Sequence, residues 1–189
     1  MKIRLEPVEE KHIYWLRNQR NKPDVMDFCR QPFMLNEINQ QDWLKDCSRN
    51  RTMVPFIVVD DDLASGNTWV GYAALSHIDW VNHHAEISYF TAPEFRDKGY
   101  AQEGIYLFLE YAFNTLNLNK IHSETFKFNE REIEFMKSLG FQVTGDRRDQ
   151  YFKRGQYHDS VIIEILRPEF YSLYSERLNA RNFTDSKPL

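Results

Sequence analysis

Cysteine is nearly absent: only Cys29 and Cys47 occur in 189 residues. Their spacing fits no zinc or redox motif, and a framework of several disulfides is excluded. A reducing, cytoplasmic setting is the expectation. No apolar run is long enough to span a bilayer, and no apolar N-terminal stretch precedes a cleavage-like site, so no membrane association is expected. Positive charge is in deficit, with a net charge of -4. That balance argues against a general nucleic-acid binder. Two common phosphate motifs are also missing, the G-x-x-x-x-G-K-[ST] loop and a G-x-G-x-x-G following a strand. No metal-ligand spacing occurs, so no metal is expected.

What remains is a globular composition, 42% hydrophobic and 15% aromatic. The length suits one domain, read as 1–178, with a flexible tail at 179–189. Lys2 to Glu6 alternates and stops at Pro7, as an opening strand does. Helices are expected from Glu9 to Arg20 and after an Asn36 cap, with a turn at Asn21-Lys22-Pro23-Asp24. Pro55 to Val59 and Trp69 to Ile78 read as a hairpin turning at Gly66-Asn67. Gly71 inside the second strand marks a bulge or a close approach. Ala85 to Thr91 is a third strand. Ile105, Phe108, Leu109, Ala112 and Leu116 then mark a helix from Ala101 to about Leu116. Lys120 to Phe128 is a strand, and Asn129 heads a short helix ending at Gly140. Two more strands and a closing helix over Pro168 to Leu178 complete an α/β (α+β) order. A mixed sheet covered by helices follows from it.

The stretch that organises this order is Arg96-Asp97-Lys98-Gly99-Tyr100-Ala101. It joins a strand to the clearest amphipathic helix. Helix N-termini carry orphan N–H groups and a positive dipole end, which suits phosphate. Gly99 has no Cβ to keep a ligand away. On these residues alone, an ordinary loop with two solvated basic residues fits as well.

The loop resembles the pyrophosphate loop of the GNAT superfamily of acyl-CoA-dependent N-acyltransferases, Q/R-x-x-G-x-G/A. "HAEISYFTAPEFRDKGYAQEG" is similar to the strand-loop-helix core of the branch with ribosomal-protein N-terminal and spermidine acetyltransferases. "NEREIEFMKSLGF" is similar to that branch's second motif, and "FKRGQYHDSVIIEILRPEF" to its closing hairpin and strand. "LRNQRNKPDV" and "NEINQQDWL" look more like acetyltransferases of amino-sugar nucleotides. The resemblance implies a mostly antiparallel sheet with a central splay for acyl-CoA. It implies acetyl-CoA as co-substrate and a primary amine as acceptor, such as an amino-sugar nucleotide or polyamine. A protein N-terminus and a non-catalytic acyl-CoA-binding module stand as alternatives. A homodimer is common among such proteins.

The cofactor would lie along backbone at Phe90, Thr91 and Ala92, with its pyrophosphate at Arg96, Asp97, Lys98, Gly99, Tyr100 and Ala101. Asn129 suits a CoA contact or a plain helix cap. An alkylamine, with a pKa near ~10.4, must lose a proton before it attacks. Glu86, a carboxylate in an apolar strand, is the candidate base; a salt-bridged or edge-exposed Glu is the other reading. His83 and His84 are candidate relays or exposed loop residues, and His122 and Glu124 are weaker alternatives. Relatives place a tyrosine four residues before the second-motif Gly, where this chain has Met136. Glu132 replaces their serine. Either another group such as Tyr106, Tyr151 or Tyr157 serves as the acid, or the thiolate leaves unaided. Trp15, Arg17, Arg20, Phe28, Arg30, Phe33 and Trp80 are candidates to line the acceptor pocket.

Overall fold

A computed structural model describes residues 1–63 and 68–185, with side chains through residue 180. Seven strands form one sheet: β1 (Ile3–Pro7), β2 (Val54–Asp60), β3 (Trp69–Asp79), β4 (His84–Thr91), β5 (Lys120–Phe126), β6 (Gln142–Lys153) and β7 (Gln156–Leu166). Their order is β1-β2-β3-β4-β5-β7-β6. Every neighbouring pair is antiparallel except β4 and β5. The expected mixed, mostly antiparallel sheet is what forms. The turn read at Gly66-Asn67 lies outside the described residues, as does the 186–189 end of the expected tail.

Alternation along the strands sends side chains to two separate cores. On one face, α1 (Ile13–Arg20) and α3 (Glu37–Arg49) cover Ile57, Val59 and Phe90 with Trp15, Leu16 and Trp43. On the other face, α4 (Tyr100–Glu110), α5 (Glu130–Ser138) and α6 (Arg167–Asp185) cover Val58, Leu75 and Ile87. The α4 stripe is buried as its spacing predicts, with Ile105, Phe108 and Leu109 nearly free of solvent. Burying a side chain of this size contributes about 1.5–3 kcal/mol.

The element ends differ from expectation at several places; β5, for one, stops at Phe126, short of Phe128. The turn at residues 21–24 opens a one-turn helix, α2 (Pro23–Met26), with Pro23 at its first position. The long helix changes to a π-turn over Tyr111–Thr115 instead of staying α-helical to Leu116. The closing helix runs to Asp185, past Leu178, with a break in helical backbone at Tyr174. Asn36 does cap α3: its side chain accepts from the Asn39 N–H at 2.8 Å.

What positions the site is the way β4 and β5 separate. They share three register pairs, His84 with Lys120, Ala85 with Ile121 and Glu86 with His122. Beyond Glu86, β4 stays paired to β3 as far as Thr91. Beyond His122, β5 stays paired to β7 as far as Phe126. A wedge therefore opens in the middle of the sheet.

Gly71 supports one side of the wedge. It sits beside a register shift in the β2–β3 ladder, and a Cβ there would lie 2.7 Å from the Phe90 carbonyl oxygen. Bulge and close approach are both present. Gly71→Ala is expected to force β3 and β4 apart and to cost about 1–3 kcal/mol in urea unfolding, the usual range for overpacking. An unchanged midpoint would show that the two strands have slack there.

Candidate active site

The loop before α4 has an uncommon backbone. Asp97 and Gly99 take positive φ, 59° and 85°. Gly99 is the N-cap of α4 and offers no side-chain cap. The N–H groups of the first turn, Tyr100 to Gln102, thus have no acceptor within the helix. A Cβ at Gly99 would meet nothing nearer than Met1 Cε at 3.8 Å. The space in front of the helix end is open, and the dipole there favours an anion. The residues present fit a pyrophosphate.

The loop's side chains hold the loop itself. Arg96 donates to Asp24 Oδ2 at 2.6 Å, and Lys98 donates to the Glu94 carbonyl at 2.8 Å. Asp97 accepts from Arg131 of α5, across the mouth of the wedge. Tyr100 turns inward and donates to Asp60 Oδ2 at 2.9 Å. Burial works against the Asp60 charge, but N–H groups of Lys2 and Asp62 and the Tyr100 hydroxyl outweigh it and lower its pKa. Ala101 lies in the helix's first turn.

Along β4 the expected backbone contacts divide. The Ala92 N–H donates to Val70 O at 2.9 Å, and the Phe90 carbonyl faces Gly71. Both residues are therefore turned toward β3. By the alternation of the ladder, Thr91 and its neighbour Tyr89 turn their N–H and C=O groups into the wedge. Of the three positions read from the sequence, only Thr91 has backbone groups facing the splay.

On the face of the wedge toward α1 and α3, charged groups converge. Glu86 is 8% exposed. Its Oε1 accepts from Arg30 Nη2, and its Oε2 lies 3.1 Å from His77 Nδ1. Arg30 Nη1 also donates to Glu124 Oε2 at 3.1 Å and to the Tyr151 hydroxyl at 3.2 Å. Glu124 accepts further from Arg147 at 3.2 Å and from Ser160 Oγ. His122 sits beside Glu86 across the ladder; burial lowers its pKa against the opposing pull of Glu86. The His84 ring is 5.9 Å from that of His122, and its Nε2 is 3.6 Å from Asp79. His83 lies in the preceding turn, in left-handed backbone. Glu86 is thus salt-bridged as well as buried. Arg30, Tyr151 and His77 belong to its surroundings, and His77 was missed.

The opposite face, toward α5, carries a second polar group of residues. Tyr89 donates to Glu132 Oε1 at 2.7 Å, with Met136 Sδ 3.6 Å from the same hydroxyl. Asn129 does not cap α5 with its side chain; its Nδ2 donates to Thr125 Oγ1 at 3.3 Å. Among the other tyrosines, Tyr106 is buried against Phe170 and Tyr174, and Tyr157 is exposed at the β6–β7 hairpin beside Phe152. The acceptor-pocket candidates scatter. Trp15 is core, Phe28 lies tilted against Phe128, Phe33 is exposed, and Trp80 donates to the Arg51 carbonyl. Among the described residues, no cluster of three or more His, Cys, Asp or Glu side chains could hold a metal, and no helix is long and apolar enough to cross a membrane.

A sheet whose two central strands part, with an open helix N-terminus past the end of one of them, fits a protein that handles acyl-CoA. Residues 2–142 match the family model described as an acetyltransferase (GNAT) domain, and the chain belongs to that family. It is an N-acetyltransferase that uses acetyl-CoA as co-substrate. The spermidine N(1)-acetyltransferase of Escherichia coli (strain K12) is 25% identical over 168 residues, 89% of this chain and 88% of that one. The putative ribosomal N-acetyltransferase YdaF of Bacillus subtilis (strain 168) is 26% identical over 171 residues, 88% of this chain and 90% of that one. A crystal structure of spermidine N-acetyltransferase from Vibrio cholerae, in complex with CoA and spermine, superposes with a TM-score of 0.82. It is 23% identical and covers 89% of this chain and 98% of that one.

Gly99→Glu places a side chain in left-handed backbone, at a strain of roughly 1–2 kcal/mol, and sets a negative charge at the helix end. CoA binding measured by calorimetry is expected to weaken by about tenfold or more, since ~1.4 kcal/mol is a factor of ten. An unchanged Kd in a folded variant would remove the loop from the cofactor site.

Proposed function

We propose that the acceptor is a small polycationic amine of the polyamine class. The observation that supports this is the pair of carboxylates, Glu86 and Glu124, sharing the Arg30 guanidinium. The amine side of the wedge is thus built around a cation held between two anions. A protonated alkylamine has the charge to compete for the same carboxylates. Arg17 and Arg20, the other candidates for a nucleotide's phosphates, are engaged elsewhere. Arg17 stacks 5.0 Å over Tyr14 and lies 3.7 Å from Glu37, while Arg20 donates to Met26 Sδ and the Gln31 carbonyl. The spermidine-acetylating relatives favour the same class.

Bound acetyl-CoA supplies the activated acyl thioester. Glu86 draws the ammonium group to the point where β4 and β5 part and takes a proton from it. Arg30 releases one carboxylate as the new cation arrives, while Glu124 keeps its hold. The pyrophosphate is held by the first turn of α4, the extended arm by the backbone of Tyr89 and Thr91, and Asn129 adds a side-chain amide at the α5 end.

Thiol release from acetyl-CoA across an amine panel tests this. Turnover is expected with spermidine and spermine, and little with an amino-sugar nucleotide or an N-terminal peptide. Glu86→Gln is expected to lower kcat/KM for the best amine by roughly 10²–10⁴-fold, the range of a positioned base. Turnover confined to the nucleotide or the peptide would overturn the acceptor class. Unchanged kinetics for Glu86→Gln would overturn its role.

A further inference from the structure

The family's second-motif tyrosine is absent here, yet a tyrosyl hydroxyl lies beside the position it left. We infer that Tyr89, held by Glu132, is the acid that protonates the departing CoA thiolate. Tyr89 projects from β4 to the α5 side of the sheet, opposite to Glu86. Its hydroxyl is 3.6 Å from the sulfur of Met136, the residue that occupies the tyrosine's place. The second departure from the motif, Glu132, provides the hydrogen bond that fixes the hydroxyl at 2.7 Å. The two substitutions in α5 are thus joined through one side chain on β4. Glu132 acts through Tyr89 and is a positioning residue. Burial raises both the Tyr89 hydroxyl and the Glu132 carboxyl from their ordinary values, so the phenol keeps its proton until an anion forms beside it.

The inference rests on the wedge being the thioester's seat and is independent of the acceptor's identity. The amine nitrogen forms a bond to the acyl carbon as the carbon–sulfur bond breaks. The electron pair of that bond stays on sulfur, which takes the Tyr89 proton. The nitrogen's extra proton leaves on the other face, to Glu86 after that carboxyl has passed the ammonium proton to solvent. Tyr89 regains a proton from water, and the sum is amide plus thiol.

Tyr89→Phe, with CoA affinity followed by calorimetry, tests the assignment. Loss of kcat by roughly 10²-fold is expected, at the low end of general-acid contributions, with the Kd for CoA close to that of the parent. The thiol of bound CoA, followed by the ultraviolet absorbance of its thiolate, is expected to ionise at higher pH in the variant. Adding Met136→Tyr to Tyr89→Phe is expected to restore kcat. Glu132→Ala is expected to behave like Tyr89→Phe, while Glu132→Gln, which still offers an acceptor, retains most turnover. Parental kcat in a Tyr89→Phe protein that binds CoA would overturn the inference. So would an unshifted thiol ionisation in that protein. Absence of CoA binding in the parent protein would instead remove the cofactor site on which the inference rests.

Discussion

The structure depends on the early end of one ladder. After Glu86 and His122, β4 and β5 stop pairing with each other while each stays bonded to its outer neighbour. An interior parting of this kind leaves backbone N–H and C=O groups in the middle of a sheet. Each such group costs about 1–3 kcal/mol when buried without a partner. Water or an extended ligand must therefore meet them, and an amide-bearing arm does so much as an added strand would. The open turn of α4 lies past the end of β4, where the proposed site puts the arm's charged end.

In the proposed mechanism the parting also divides the chemistry between two faces. Strand alternation sends Glu86 and Glu124 one way and Tyr89 the other. A group that removes a proton from nitrogen and a group that returns one to sulfur need not compete for the same space. Arg30 and Arg147 both donate to Glu124, and Arg30 also to Glu86, so the carboxylates are paired rather than isolated. An unpaired charge at that depth would be costly.

The loop and helix were legible in the sequence because the signals are local. Pro93 and Gly99 punctuate them, and Ile105, Phe108 and Leu109 repeat at helical intervals. The succession of strands and helices along the chain was legible for the same reason. The charged cluster was less legible, because Arg30 reaches Glu86 over 56 positions and Glu124 over 94. Arg30, Glu86, Glu124 and Tyr151 were each visible as candidates, and their meeting was not. α2 was hidden because Pro23 suits a turn and a first helical residue equally. The replacements at Met136 and Glu132 were plain in the motif. The residue proposed to answer them lies 43 positions from Glu132 on β4, and only the fold brings it there.

The central claim is that the wedge between β4 and β5 seats the arm of acetyl-CoA. Residue-resolved amide exchange with and without saturating CoA addresses it most directly. Exchange is expected to slow at Tyr89 and Thr91 and through Tyr100 to Gln102, with β1 unaffected. Unchanged exchange at Tyr89 and Thr91, or protection confined to another surface, would contradict the account.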